Sequence, residues 1–358
     1  MSFKLGIIGL PNVGKSTLFN LLTNSMIESA NYPFCTIDPN IAIVPIQDCR
    51  LYQIAEIVKP KKISPSTIEF IDIAGLVKNA HKGSGLGNNF LNNIKNVNAI
   101  IHLIRCFKDD KIIHVYKNID PIRDMNIVHK ELLFSDLHLC ERSLKRVKKS
   151  NILNRTNHEN KEEIRILEKC FAHLQNFKML STLSLNDKEI KVIDYLQFLT
   201  LKPIMYIANV DHNNTNSKNI YLKNLEEYFK DKNIKCIIRI YAKSKQRNIN
   251  FNKKNELNMQ LNSIINKSFK LLNLNTFFTV GKKEVKSWIV KKGVTALEAA
   301  NMIHSDIKKG FIRAKTISIN DFIKYKGEIN VKKFGKIRLE GKKYIIQDGD
   351  ILNFLFNI

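Results

Sequence analysis

The stretch from Gly9 to Thr17 reads GLPNVGKST and satisfies the pattern G-x-x-x-x-G-K-S/T. It follows an apolar run, Phe3 to Ile8, that reads as a strand, and it opens a run, Lys15 to Thr23, that reads as a helix. In that setting the backbone N–H groups of Asn12, Val13, Gly14, Lys15, Ser16 and Thr17, together with a helix N-terminus, converge on phosphate oxygens. The Lys15 ammonium then reaches the outer phosphates, and the Ser16 hydroxyl is offered to Mg2+. Further parts follow in order. The segment NYPFCTIDPN, Asn31 to Asn40, carries Thr36, whose hydroxyl is placed to join Mg2+ and sense a γ-phosphate. Asp72-Ile73-Ala74-Gly75 ends a strand candidate, which puts the Asp72 carboxylate near the metal and the Gly75 N–H near the γ-phosphate.

Position 76 is the first irregularity. Many GTPases place Gln after this glycine to orient the attacking water, whereas Leu76 has no hydrogen-bonding group. Another group or a partner must do that work; His81 and His114 are the candidates, and slow intrinsic hydrolysis is expected. Base choice is read at Asn209-Val210-Asp211-His212, directly after PIMYIAN. Where N-K-x-D proteins have a carboxylate for guanine N1–H and N2–H2, this chain has His212, which cannot accept both bonds. The Asn209 amide matches N6 and N7 of adenine, with Val210 expected against the face of the base. ATP is therefore expected over GTP, unless a shifted loop lets Asp211 restore guanine binding.

Short apolar runs position these residues: Phe3 to Ile8, Thr67 to Ile73, Ala99 to Arg105, Pro203 to Asn209 and Lys235 to Ile240, with helical stretches between them. Such alternation predicts β-α-β units and a mostly parallel sheet. From about Asp124 to Leu180 the pattern is helical. Leu133, Leu137, Cys140, Leu144 and Val147 form one stripe, and Ile164, Leu167, Phe171 and Leu174 another, across the polar stretch Lys149 to Glu162. An antiparallel helical hairpin inserted in the α/β domain accounts for both. From Phe277 onward, strand-like pieces (Phe277 to Val280, Val285 to Ile289, Tyr344 to Ile346, Ile351 to Phe356) surround one predicted helix, Ala296 to Lys308, which suggests a small α+β module.

The 358 residues carry a formal charge of +25, and 17 Lys and Arg against 8 Asp and Glu lie in the last 82. This balance favours a polyanionic partner such as RNA or a ribonucleoprotein, although lysines are spread along the whole chain. No apolar run approaches a membrane span, and the start leaves no room for a signal peptide, so a cytoplasmic protein is expected. Six cysteines without C-x-x-C spacing read as reduced packing residues.

With these residues assembled, the chain resembles the YchF-type Obg-like ATPases, a branch of the translation-factor-related P-loop GTPases. The likeness is carried by NYPFCTI, DIAGLVK, GSGLGN, LTLKPIMYIAN, KGFIRAKTIS and the terminal DGDILNFLFN. It implies an α/β P-loop NTPase domain over residues 1–124 and 200–276, an inserted helical coiled coil over 125–199, and a C-terminal α+β TGS domain over 277–358. It also implies a Mg2+-dependent ATP hydrolase with a hydrophobic residue at 76, which binds ATP and ribosomes or ribosomal RNA, with neither DNA nor membrane as a partner. A GTPase of the Obg class and a nucleotide-insensitive ribosome-binding adaptor are the alternatives. Asn12 resembles an asparagine that some relatives use for K+. The chain departs from the family pattern at His212, where Glu is usual, at Tyr241-Ala242, where Ser-Ala is usual and KSKQR follows, and at Asn79, where Gly is usual.

Overall fold

The computed structural model describes residues 3–27, 40–73, 85–153, 158–211, 219–232, 237–240 and 251–357. Along the chain these form β1 (Phe3–Ile8), α1 (Lys15–Ile27), β2 (Ile41–Pro45), α2 (Cys49–Val58), β3 (Lys62–Ser64), β4 (Thr67–Asp72), α3 (Gly85–Lys95), β5 (Ala99–Cys106), α4 (Pro121–Leu153), α5 (His158–Gln175), α6 (Asp187–Ile193), β6 (Ile204–Val210), α7 (Ile220–Asp231), β7 (Ile237–Ile240) and α8 (Phe251–Leu271). There follow β8 (Leu274–Val280), β9 (Glu284–Lys291), α9 (Ala296–Ile303), α10 (Ser305–Lys309), β10 (Phe311–Ser318), α11 (Ile319–Lys324), α12 (Glu328–Lys333), β11 (Arg338–Glu340) and β12 (Asp350–Phe356). Two compact units result, one of Lys4–Ala42 with Glu69–Ile264 and one built mainly of Ile43–Ile68 with Ile265–Ile358.

The first sheet has the order β2-β4-β1-β5-β6-β7. β1, β5, β6 and β7 are parallel, with Ile8 opposite His102, Cys106 opposite Val210 and Asn209 opposite Ile240. All eight residues of β5 are buried, which suits a central parallel strand covered on both faces. Because these strands run the same way, their C-terminal ends share one edge, the edge at which open α/β sheets bind ligands. This is a P-loop GTPase-type α/β fold.

α4 begins at Pro121, which needs no hydrogen-bond partner there, and the Asp120 carboxylate accepts from Arg123 N at 3.0 Å. At 33 residues it is about 50 Å long. Leu133, Cys140 and Val147 of α4 bury against Ile166, Leu167, Cys170 and Leu174 of α5, with Leu137, Leu144, Ile164 and Phe171 at the margins. Leu180, Ile193, Leu196 and Phe198 close this core. Burial pushes the Cys140 and Cys170 thiols up, to about 12 and about 11, so both act as small apolar side chains. The buried Asp136 carboxylate ties α4 to the turn before β6, accepting from Leu199 N (3.0 Å), Thr200 N (2.7 Å) and Thr200 Oγ1 (2.6 Å).

The second sheet has the order β11-β10-β12-β8-β9-β3. Residues 43–68, which the sequence pattern puts with the nucleotide domain, pack in this unit. α2 buries Leu51 and Ile54 with Phe278, Ile317 and Ile351, and β3 pairs parallel with β9. Arg50 grips Asp48 and Asp348 at 2.7 Å each, and both carboxylates hold its pKa above the ordinary arginine value. The terminal Asp348-Gly349-Asp350 is thereby structural: Asp348 Oδ1 also accepts from Thr276 N, and Asp350 Oδ2 from Tyr344 OH and Gln347 N. Two expectations need correction. The predicted helix Ala296 to Lys308 is broken at His304, whose extended backbone (φ −160°, ψ 142°) ends α9 while its ring accepts from Asp306 N to cap α10. The predicted strand Tyr344 to Ile346 is a single bridge between Ile345 and Thr295.

Candidate functional site

β1 delivers the chain to Gly9 beside β5. A Cβ at Gly9 would lie 2.5 Å from the Leu103 carbonyl oxygen, so only glycine lets the loop leave the sheet there. Asn12 and Gly14 then take left-handed φ values of 61° and 101°, after which Leu18 N donates to Gly14 O and α1 is under way. This turn leaves the first N–H groups of α1 facing the strand edge, an arrangement suited to anions.

Lys15 is 8% exposed, and its ammonium donates to the Leu10 carbonyl at 2.9 Å. Burial lowers its pKa, and the nearby Asp72 carboxylate opposes that shift. Ser16 Oγ donates to Asp72 Oδ2 at 2.9 Å, which joins the loop to the end of β4. The other carboxylate oxygen, Asp72 Oδ1, is buried without a hydrogen-bond partner among the described residues. A hydroxyl and an unsatisfied carboxylate oxygen beside a buried ammonium form a donor set that fits a hard, oxygen-seeking cation held next to phosphate.

Two further bonds brace the loop. Asn209 Nδ2, from the end of β6, donates to Val13 O at 2.8 Å in a buried setting. Asn12 Nδ2 donates to Ile113 O at 3.1 Å, which brings the segment after β5 against the loop. That segment is organised by Arg105, 1% exposed, whose guanidinium donates to the carbonyls of Phe107, Asp109 and Ile112. His114 lies within it, buried, with Nε2 2.8 Å from Asp124 Oδ2. Its Nδ1 accepts from Tyr116 N at 3.1 Å, so the proton sits on Nε2 and is donated to Asp124. Arg123 holds the other oxygen of Asp124 at 2.9 Å. Under the loop, His102 opposes Ile8; burial drives its pKa well down, and His129 and Lys15 add to the effect, so it stays neutral.

The structure thus brings together Asn12, Val13, Gly14, Lys15, Ser16, Thr17, Asp72 and Asn209, with the His114 segment alongside. Val210 is 2% exposed and packs with Ile104, Cys106, Leu222 and Leu225, because strand alternation turns it to the face opposite Asn209. Thr36, Gly75, Leu76, Asn79, His81, His212, Tyr241 and Cys35 lie outside the described residues. Sequence reasoning missed Arg105 and Asp124. The signal for the first is a lone arginine inside the apolar run AIIHLIRC, which must find several acceptors if buried.

Comparison with known proteins gives a consistent result. A family model described as "50S ribosome-binding GTPase" matches residues 4–134, and the YchF-GTPase_C model, described as a protein of unknown function, matches 274–357. The chain is 52% identical over its full length, and the full length of its relative, to the ribosome-binding ATPase YchF of Buchnera aphidicola from Acyrthosiphon pisum. It is 49% identical to the protein of that name in Escherichia coli O157:H7, again with both chains covered completely. Among solved structures, the Schizosaccharomyces pombe YchF GTPase superposes with a TM-score of 0.86 at 35% identity, covering 99% of this chain and 98% of that one.

Proposed function

The chain belongs to the YchF family, and from that premise we propose that it is a Mg2+-dependent ATPase, converting ATP and water to ADP and phosphate, whose nucleotide state governs its association with ribosomes. The observation that carries the proposal is the junction of Lys15, Ser16 and Asp72 at the end of β1 and β4. Lys15 exchanges the Leu10 carbonyl for phosphate oxygens and balances the charge that develops on the transferred group. Ser16 and Asp72, joined by Thr36, would hold the metal, which would supply charge neutralisation to the phosphate group. The backbone N–H groups of residues 12–17 and of Gly75 orient the phosphates. An effect of K+ is proposed through Asn12, and equal rates in NaCl and KCl would refute it.

With Leu76 unable to orient water, His114 is the residue we assign to that task, with His81 as the other candidate. Support comes from the contact between Asn12 and the Ile113 carbonyl, which puts the His114 segment against the phosphate loop. Release of one backbone bond, from Tyr116 N, frees Nδ1 while Asp124 keeps the ring oriented through Nε2–H. Asn209 supports ATP over GTP together with His212, with Val210 as the further candidate beside the base.

The long α4–α5 pair is read as the coiled-coil insertion and residues 277–358 as a TGS domain, acting with ribosomes in the cytoplasm. No helix among the described residues is long and apolar enough to cross a membrane. A GTPase reading is the second one, favoured by the likeness to the Schizosaccharomyces pombe YchF GTPase. The test is titration calorimetry of the full chain with ATP and GTP in Mg2+, then phosphate release with and without ribosomes. ATP preference with ribosome-stimulated release supports the proposal; tighter GTP binding supports the GTPase reading, and ribosome binding without phosphate release would make the chain an adaptor.

A further inference from the structure

A second concave site lies in the first unit, at the end of the sheet opposite the phosphate loop. Its walls are the end of α3 and the turn into β5 (Lys95, Asn96), one stripe of α4 (Ser143, Arg146) and the turn after α6 (Tyr195, Gln197). The cleft holds about 600 Å3, within the range of ligand pockets. Asn98, at its rim, precedes Leu103, the neighbour of Gly9, by five strand residues or about 17 Å, so this is not part of the phosphate cradle.

Its chemistry has three parts. Lys95 and Arg146 bring positive charge, and no carboxylate is among the described residues that line the cleft. Tyr195 is half exposed and held in place: its hydroxyl donates to Glu163 and accepts from Arg146 at 3.1 Å, and the Arg146 guanidinium lies 5.8 Å from its ring centre. Asn96 and Asn98 also line it, the Asn98 Oδ1 accepting from Lys4 N at 2.8 Å while its Nδ2 remains a donor. Beyond the rim, His138 to Ser150 carries five Lys and Arg against Glu141. Lys145 and Lys148 are matched by Glu141 and Glu168, whereas Lys95, Arg142, Arg146 and Lys149 have no carboxylate within ion-pair distance among the described residues.

We propose that this cleft binds one unpaired nucleotide of single-stranded RNA, with the base against Tyr195, its edge facing the asparagine amides, and the flanking phosphates on Lys95, Arg146, Arg142 and Lys149. An aromatic face in a cationic groove is how proteins hold splayed bases, and amides bond their edges. A duplex offers phosphates but no free base face, so it engages only the rim. The inference deepens the ribosome-association reading and rests on it for the source of the RNA.

The test is fluorescence anisotropy of the full chain, saturated with Mg2+ and ADP to fill the phosphate loop, against a labelled uridine decamer and an RNA duplex of equal length. The wild type should bind the decamer more tightly than the duplex. Tyr195→Ala should weaken decamer binding roughly tenfold or more, while Tyr195→Phe, which keeps the ring, stays within about twofold. Lys95→Gln with Arg146→Gln should lower the salt slope by about 1.4, two phosphate contacts on a single strand. Phosphate release should be unchanged in all three variants. Equal binding of duplex and decamer, equal loss in Tyr195→Ala and Tyr195→Phe, an unchanged salt slope, or displacement of the decamer by equimolar free UMP would each overturn the inference. Ribosome sedimentation separates the two readings: a wild type that pellets with ribosomes but ignores the decamer overturns the cleft alone.

Discussion

Asn209 braces the phosphate loop and is proposed to read the base, and replacing it with Ala measures both roles. In the structure its Nδ2 donates to the Val13 carbonyl at 2.8 Å, in a buried setting that water does not readily replace. Losing that donor leaves a buried acceptor unsatisfied, which costs about 1.5 kcal/mol and weakens the phosphate cradle roughly tenfold. The proposed contact to the purine would add about 1.5 kcal/mol, the lower part of the range for an amide reading a base edge. ATP should therefore bind Asn209→Ala roughly a hundredfold more weakly than wild type. Tripolyphosphate, which has no base, should lose only about tenfold. Calorimetric titration with Mg2+ and each ligand in turn gives both values. Unchanged tripolyphosphate affinity would refute the bracing role, and equal losses for the two ligands would refute the base contact.

Asp72→Ala should reduce phosphate release at least about a hundredfold, because it removes the partner of Ser16 and the charge that opposes the burial shift of Lys15; full rescue by tenfold more Mg2+ would count against the assigned ligand set. Lys15→Ala should abolish turnover, and normal activity would overturn the site. His114→Ala and Asp124→Asn should each lower kcat by about a hundredfold with KM for ATP little changed; a rise in KM alone would make the pair a structural brace. For Asp136 the sign follows from its pKa, raised by burial from 3.8 to about 6 against the opposing hydrogen bonds from Thr200 and Leu199. The folded protein holds this proton more tightly than the unfolded chain, so the group disfavours folding above pH 6 by roughly 3 kcal/mol, and the effect fades as pH falls towards 4. The stability gap between wild type and Asp136→Asn, followed by thermal melts from pH 4 to 7, should widen on acidification; a constant gap would show that Asp136 does not titrate there.

The nucleotide half was legible because its determinants are local. A strand, a glycine loop and a helix start occupy consecutive residues, and β1 runs from Phe3 to Ile8 as the apolar run predicts. The packing of α4 on α5 was equally readable, since 3-4 spacing maps directly onto a helix face, although burial of Ile166 and Cys170 shifts the α5 face by part of a turn. What was not legible depends on partners remote in sequence. β10, Phe311–Ser318, escaped because its pairing with β12 shifts register between Phe311 and Arg313, which breaks the alternation a strand should show. The pairing of β3 with β9 and the clamp of Arg50 on Asp348 span more than 200 residues, and no local pattern announces them. The packing of Val210 with Ile104 and Leu225 was unread for a related reason: successive strand residues face opposite sides of the sheet, so Val210 packs away from Asn209.

The same geometry says how the nucleotide edge reaches the helical insertion. Asn12 of the phosphate loop bonds the Ile113 carbonyl, and the next residue, His114, bonds Asp124 in the first turn of α4. Farther along that helix Asp136 holds the turn from which β6 runs, and β6 ends at Asn209, which returns to the loop at Val13. The circuit closes through one helix and one strand, with buried polar bonds at Asp124, Asp136 and Val13, an exposed one at Ile113, and no irregular segment in the helix. A displacement of the loop is therefore delivered at the base of a rod about 50 Å long, and a tilt of about 5° there moves its far end by about 4 Å. Breaking the circuit at Asp124 and at Asp136 should consequently act on different things. The first acts on the segment that carries His114 and thus on turnover; the second acts on the seating of the insertion and thus on ribosome association, while phosphate release without ribosomes is preserved.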